Sequence, residues 1–339
     1  MKAVVLREFK KPLAVEEVGQ PQPGTDEVLI RVEACGVCHS DVHVADGDWA
    51  QFAKIVKTPL IPGHEIAGVV VEKGAAVQDL QIGDRVGVPW IHWTCGECEF
   101  CREGNENLCR RQKITGVTVD GGYAEFVKAP ASHVLTIPDS LSSIQAAPFF
   151  CAGVTVYRAL KRANILPGQR LAVFGIGGLG HLGVQFGQAL GVEVAAIDIS
   201  EEKLALARSL GASATLNAAT TNVIKELRDR GGVHVALVTS AARASYDTAF
   251  YGLRPTGTLL VVGLPADPIC FPPILMAAGE VRIQASTVGT RQDLREVLVM
   301  AAAGKVRCQV AARPLADANE ALNQLRRGQV SGRLVLAPT

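Results

Sequence analysis

A chain of 339 residues is long enough for two domains, each burying a sizeable core. Its 34 lysines and arginines nearly balance 33 aspartates and glutamates, for a formal net charge of +1. That balance excludes the basic field needed to hold a nucleic-acid backbone or an anionic membrane surface, so small molecules are the expected partners.

The N-terminal segment "MKAVVLREFKKPLAVEE" carries a charge every few residues and lacks the apolar core of a secretory signal, so a cytoplasmic location is expected. Up to about residue 145, short β-branched runs punctuated by Gly and Pro ("EVLIRVEA", "IAGVVVEKG", "DRVGVPW", "YAEFVKAP") predict a β-rich region with long loops. Nine cysteines in a long chain without an export signal favour metal ligation or catalysis over a disulfide framework. Two of them, Cys35 and Cys38, stand in "EACGVCHSDVH" with His39 and His43. Four more, Cys95, Cys98, Cys101 and Cys109, fall in "CGECEFCREGNENLC". Thiolates so closely spaced on one polar loop can close a tetrahedral zinc shell, and an iron–sulfur cluster is the alternative. With every position filled by protein, the role of such a site is structural. Cys38, His64 in "IPGHEIAG" and Cys151 in "FFCAGVTVYRAL" are far apart in sequence, and each alone also fits ordinary burial.

From about Val154 the texture changes. The runs "RLAVFG", "VEVAAID", "HVALVTS", "GTLLVVGLP" and "VRIQAST" alternate with helical stretches such as "EEKLALARSLGA" and "NVIKELRDRGG", which predicts βαβ units around a parallel sheet. The apolar segment "LAVFGIGGLGHLGVQFGQALGVEVAAI" is rich in glycine and interrupted by His181 and Gln185, so it parses as strand, turn, helix and strand rather than a membrane span. Gly175, Gly177 and Gly180 form G-x-G-x-x-G at the strand end, and the next strand ends in Asp198. Together these read as a dinucleotide site: the backbone approaches a pyrophosphate at a helix N-terminus, and the carboxylate takes a ribose diol and repels a 2′-phosphate, favouring NAD over NADP. Gly178 and Leu179 of the same loop, and Lys203 beyond Asp198, join the candidate cofactor contacts. The tail returns to a helix flanked by short strands.

The segments "CGVCHSDVH", "PLIPGHE", "CGECEFC", "CAGVTVYRAL", "GIGGLGHLGVQ" and "VGTRQDL" occur in that order and resemble the zinc-dependent medium-chain alcohol dehydrogenases, in particular the bacterial and yeast tetrameric type. The resemblance covers nearly the whole chain. It implies an α/β architecture with a GroES-like β catalytic domain (residues 1–151 and 286–339) and a Rossmann-type doubly wound parallel sheet for the cofactor (residues 152–285). It further implies two zinc ions per chain, one catalytic on Cys38, His64 and Cys151 with an open fourth position, and one structural on the four-cysteine loop; two cysteines and a histidine are a known catalytic zinc set for alcohol dehydrogenase.

The implied reaction is reversible NAD-linked oxidation of an alcohol, expected to be primary, to an aldehyde or ketone, with a polyol or secondary alcohol as the alternative substrate class. By the same resemblance Ser40 touches the substrate oxygen and passes its proton through the nicotinamide ribose to His43, an imidazole suited to exchange with solvent near neutral pH. Asp41 orients His64, Glu65 lies behind the metal, His39 and Arg333 contact the cofactor pyrophosphate, and Trp49 and Trp90 narrow the substrate pocket. Ser40 stands where many bacterial relatives have Thr, and Trp93 is an additional bulky side chain near the pocket. The resemblance also implies a homotetramer.

Overall fold

The computed structural model describes residues 1–48, 53–265 and 267–338. Its contacts divide them into two compact units. One comprises Met1–Ala152, Gly289–Ala302 and Cys308–Thr339, the other Gly153–Val288 and Ala303–Arg307. Residues 286–288, expected in the catalytic domain, group with the second unit, and so does the tail stretch Ala303–Arg307. The Gln185 side chain holds it there, donating from Nε2 to the Arg307 carbonyl at 2.8 Å and accepting from the Arg307 amide at 2.8 Å.

In the first unit the strands run in the order Val310–Pro314, Arg333–Ala337, Glu27–Gly36, Glu65–Lys73, Arg85–Val88 and Leu135–Thr136. Phe126–Pro130 also pairs with Glu27–Gly36, at the opposite end from Arg333–Ala337. The β-branched runs legible in the sequence supply these strands, because branched side chains pack well on a pleated, half-buried surface. The tail forms the predicted helix, Ala318–Arg326, between the strands Val310–Pro314 and Arg333–Ala337.

The second unit is a six-stranded parallel sheet among the described residues. Its order is Ala214–Asn217, Glu193–Asp198, Arg170–Phe174, Val233–Val238, Leu253–Val261 and Arg282–Ala285. Numbered along the chain this is the 3-2-1-4-5-6 order of doubly wound dinucleotide folds. The strands read as continuous apolar runs because helices cover both faces; Leu171, Ala172, Val173, Ala236, Leu237 and Val238 are all 0% exposed. Ala214–Asn217 has no apolar run to announce it. It is a four-residue edge strand with every residue half-buried. Helix starts are conventional: Ser200 Oγ accepts from the Lys203 amide and Asn222 Oδ1 from the Lys225 amide. Among the described residues, no helix is long and apolar enough to cross a membrane.

Candidate metal centres and cofactor loop

Strand register brings the first constellation together. Glu27–Gly36 and Glu65–Lys73 are antiparallel, with Cys35 opposite Ile66 and Gly36 opposite Glu65. The residues that leave the first strand and enter the second, Cys38 and His64, therefore emerge at the same sheet end. Cys151 follows the short 3-10 turn Ala147–Phe150, which is wholly buried. Phe150 packs over Gly87, where a Cβ would lie 2.0 Å from the ring. The result is one donor atom from each of Cys38, His64, Glu65 and Cys151, all within 4.8 Å of one another and all buried.

The surroundings fix the orientation of these donors. Cys38 caps the helix His39–Asp46, and Asp41, in its first turn, accepts from the Cys38 amide at 2.9 Å. The other Asp41 oxygen takes His64 Nδ1 at 3.1 Å, and Tyr123 Oη donates to the Cys38-bound oxygen at 3.0 Å. Hydrogen bonds to a charged group are worth about 1.5–3 kcal/mol each, so this carboxylate is held firmly. With Nδ1 engaged, Nε2 is the imidazole nitrogen facing the sulfurs. It is buried and has no hydrogen-bond partner, as is Glu65 Oε2. An orphaned imidazole nitrogen between two thiols and a carboxylate is a donor set that fits a borderline-soft cation such as zinc.

Electrostatics agree. The hydrogen bond with Cys151 and the His64 imidazole hold the Cys38 thiol well below its ordinary range despite burial, while that same bond and burial push Cys151 up. Burial pushes Glu65 up to about 7 against the opposing guanidinium of Arg333. Arg333 is 3% exposed, with Nη2 on Glu65 Oε1 at 2.5 Å. Trp90, also buried, meets the His64 ring edge-on at 4.7 Å. Ser40 Oγ lies 3.7 Å from Cys38 Sγ. His39 is exposed at the helix start. His43 Nδ1 sits 2.9 Å from Asp48 Oδ2, a partner not read from the sequence; the intervening spacing gives no local signal for it. Trp49 lies outside the described residues. Cys35 is fully buried and burial pushes its thiol well up, which suits packing rather than reactivity.

The four-cysteine loop forms the second constellation, again within 4.8 Å. Cys95 Sγ is 3.9 Å from Cys101 Sγ and 3.6 Å from Cys109 Sγ. A disulfide requires about 2.05 Å, whereas four sulfurs about 2.3 Å from a central ion sit about 3.8 Å apart in a tetrahedron. The spacing fits one ion and is too tight for ligands that must surround several irons. The amides of Glu97 and Cys98 hold the Cys95 thiol at about 6. Glu106, between Cys101 and Cys109, receives the Arg291 amide, Nε and Nη2 and so ties the loop to the helix Arg291–Ala302.

Beside this loop His133 Nε2 accepts from the Thr94 amide at 3.0 Å, a bond that only a neutral ring can make. Burial brings both His133 and His92 down to about 4. An unfolded histidine titrates near 6.5, so between these values the unfolded chain binds protons that the native chain does not. Stability should therefore fall as pH drops from about 6.5 to about 4, by on the order of 2–3 kcal/mol per histidine. His133→Gln, which keeps an acceptor for Thr94, should flatten that part of a denaturant-unfolding series against pH; an unaltered slope would remove His133 from the account.

The third constellation lies in the second unit. Strand Arg170–Phe174 pairs in register with Glu193–Asp198, Phe174 opposite Ile197, so Gly175 and Asp198 leave the sheet side by side. Gly175 has φ +89°, and Gly180 approaches so closely that its Cβ would lie 1.8 Å from the Gly175 carbonyl. A Cβ on Gly177 would meet nothing within 4 Å, so this glycine leaves open space where a ligand can approach the backbone. Asp198 is fixed by the amides of Ile176 (2.7 Å), Ile199 (2.8 Å) and Ser200 (3.0 Å). Gly178 and Leu179 line the same half-buried turn before the helix Gly180–Ala189, and Lys203 sits in the first turn of Glu201–Ser209. This cradle fits a dinucleotide.

Comparison with known proteins follows the same division. The family model of the alcohol dehydrogenase GroES-like domain matches residues 24–139, and that of zinc-binding dehydrogenase matches 178–303. An alcohol dehydrogenase of Geobacillus stearothermophilus is 47% identical over 337 residues, 99% of this chain and 99% of that one. Among solved structures, the alcohol dehydrogenase of the archaeon Aeropyrum pernix has a TM-score of 0.93 at 36% identity, covering 100% of both chains. An acetophenone reductase from Geotrichum candidum, solved in complex with NAD, has a TM-score of 0.89 at 30% identity over 99% of this chain and 96% of that one.

Proposed function

The chain belongs to the zinc-dependent medium-chain alcohol dehydrogenases, and on that premise we propose that it carries out reversible, NAD-linked oxidation of small primary alcohols to aldehydes at the site of Cys38, His64 and Cys151. The observation that carries this reading is the buried donor set in which His64 Nε2, between the Cys38 and Cys151 thiols, has no hydrogen-bond partner. Zinc held there supplies a Lewis acid for the alcohol oxygen, and NAD supplies the hydride acceptor.

The remaining chemistry belongs to the chain. Asp41 keeps His64 Nδ1 protonated and Nε2 directed inward. Ser40, next to Cys38, would take the alcohol's hydroxyl proton as it releases its own toward His43, and His43, whose Nδ1 meets Asp48, would pass a proton on to solvent. Trp90 against His64 narrows the space beside the metal and supports short alcohols over branched ones or polyols. Glu65 and Arg333 form a buried ion pair behind the ligands. For His39 and Arg333 the cofactor contact rests on family resemblance. The four-cysteine loop holds the second, structural zinc.

A homotetramer in the cytoplasm completes the reading. Free thiols in two metal sites suit a reducing compartment. Exposed Ile274 and Leu275 in the helix Pro273–Gly279, and Ile283 in the edge strand Arg282–Ala285, support self-association.

NADH formation followed by absorbance, with ethanol, benzyl alcohol, a secondary alcohol and a polyol, tests the substrate class. A polyol or secondary alcohol with the highest kcat/KM would overturn the primary-alcohol assignment. The cofactor assignment has its own test. Asp198→Ala removes the carboxylate that takes the ribose diol and repels a 2′-phosphate, and should lower the NAD-to-NADP efficiency ratio at least about tenfold, the worth of roughly 1.4 kcal/mol. An unchanged ratio would place the selectivity elsewhere.

A further inference from the structure

Tyr123 is fully buried, lies 82 residues from Asp41 in sequence, and has no part in the chemistry described so far. Its hydroxyl donates to Asp41 Oδ2 at 3.0 Å, so one carboxylate collects three donors: His64 Nδ1, the Cys38 amide and Tyr123 Oη. Two of these belong to residues that supply metal-directed atoms. Asp41 is therefore the joint between the helix start carrying Cys38 and the strand entry carrying His64, and the tyrosine is the third point that stops the joint from pivoting.

The ring bears on the same place. A Cβ built on Gly63 would lie 2.4 Å from Tyr123 Cδ1 and 2.7 Å from Cε1, so the ring lies against the residue that precedes His64. Gly63 has φ +92° and can be replaced only at the cost of both strain and overlap. The backbone is laced across the same contact: the amides of Gly121, Gly122 and Tyr123 donate to the carbonyls of Ile61, Gly63 and Pro62 at 2.7, 2.9 and 3.0 Å.

We propose that Tyr123 is a positioning residue for the metal on Cys38, His64 and Cys151, its hydroxyl fixing Asp41 and through it the direction of His64 and the start of the Cys38 helix. The inference rests on the ligand assignment proposed above. Burial, with the Asp41 charge adding to it, pushes the phenol well above its ordinary range, so the hydroxyl remains a donor. Without that hydroxyl, Asp41 Oδ2, on a side chain 1% exposed, keeps a single donor and the ligand frame loosens although no ligand is removed. Loss of a ligand's own partner, here Asp41, changes metal affinity by about 10-fold to 100-fold, and loosening that partner should cost a part of this.

The test uses the zinc-loaded enzyme and follows zinc release into a chromogenic chelator, with the four-cysteine ion as an internal reference. Tyr123→Phe keeps the ring on Gly63 and should speed release of one ion about 3-fold to 10-fold, a part of the effect of losing the ligand's own partner, leaving the other release phase unchanged and the thermal midpoint within about 3 °C of the parent. Tyr123→Leu should show the same acceleration together with a fall in thermal midpoint. A Tyr123→Phe enzyme that releases both ions at the parent's rates, or releases both faster in equal proportion, would overturn the positioning role. A parent enzyme holding only one ion would overturn the ligand assignment itself, and the inference with it.

Discussion

Cys38→Ala should keep one zinc ion per chain and lose turnover by about three orders of magnitude or more, because the charge stabilisation that a Lewis acid gives an alcohol oxygen is worth several kcal/mol. The fold should survive. Cys38 is one small side chain at a helix start, and the helix keeps its Asp41 contact through the Cys38 backbone amide, which alanine retains. Cys98→Ser is expected to do the reverse. It removes one of four thiolates from a loop whose other members are half-exposed or, for Cys109, buried. Binding free energy of a structural metal is folding free energy, so this lobe should soften, with a fall in thermal midpoint of about 5 °C or more. The softening should reach the helix Arg291–Ala302, because Glu106 within the loop takes both the amide and the guanidinium of Arg291. Turnover per retained catalytic ion should change far less than in Cys38→Ala. Elemental analysis, calorimetry and steady-state rates on the two variants check the division of roles; equal zinc loss and equal destabilisation in both would contradict it.

The same contrast explains what could be read from the sequence. The four cysteines lie on one continuous loop, so ligand spacing in the chain is nearly ligand spacing in space. The cofactor loop is equally local: a strand end, a tight turn at Gly175 and a helix from Gly180, with Asp198 on the neighbouring parallel strand. The second unit's central strands announce themselves as apolar runs because both faces are buried, whereas the half-buried edge strand Ala214–Asn217 does not.

Cys38, His64 and Cys151 are another matter. Their meeting depends on an antiparallel register that sets Gly36 opposite Glu65, and on a 3-10 turn packed beneath the sheet. No periodicity in the chain encodes that register in a form a reader can extract, and family resemblance carried the expectation instead. Tyr123 and Asp48 were not legible at all. Tyr123 reaches Asp41 across 82 residues, and Asp48 reaches back to His43 only after the helix ends at Gly47 with φ +62°. The grouping of Ala303–Arg307 with the second unit likewise involves a contact distant in sequence, the Gln185 side chain on the Arg307 backbone.

Ser40→Ala should lower turnover about 10²-fold to 10³-fold while leaving NAD binding in place, since on the proposed relay it removes both the first proton-transfer group and a hydrogen bond to the oxygen on which charge develops. The geometry makes the claim specific. Ser40 sits in the first turn of the helix His39–Asp46, 3.7 Å from Cys38 Sγ and thus beside the donor set, whereas His43 stands one turn further along and is paired outward with Asp48. A relay through both makes two different demands, because Ser40 must touch the substrate oxygen and His43 needs only to hand a proton to water. His43→Gln should therefore cost less, about tenfold, with the loss greatest at and below neutral pH, where hydroxide is too scarce to take over, and partly restored by added small bases. Asp48→Asn tests the outward pairing independently: it keeps the size of the side chain but weakens the hold on Nδ1, and should reproduce a fraction of the His43→Gln loss. Steady-state rates across pH for the three variants, with zinc content measured in each, decide the matter. A zinc-loaded Ser40→Ala enzyme with normal turnover would leave the relay without its first step, and a His43→Gln loss as large as that of Ser40→Ala at every pH would mean that the histidine does more than pass the proton on.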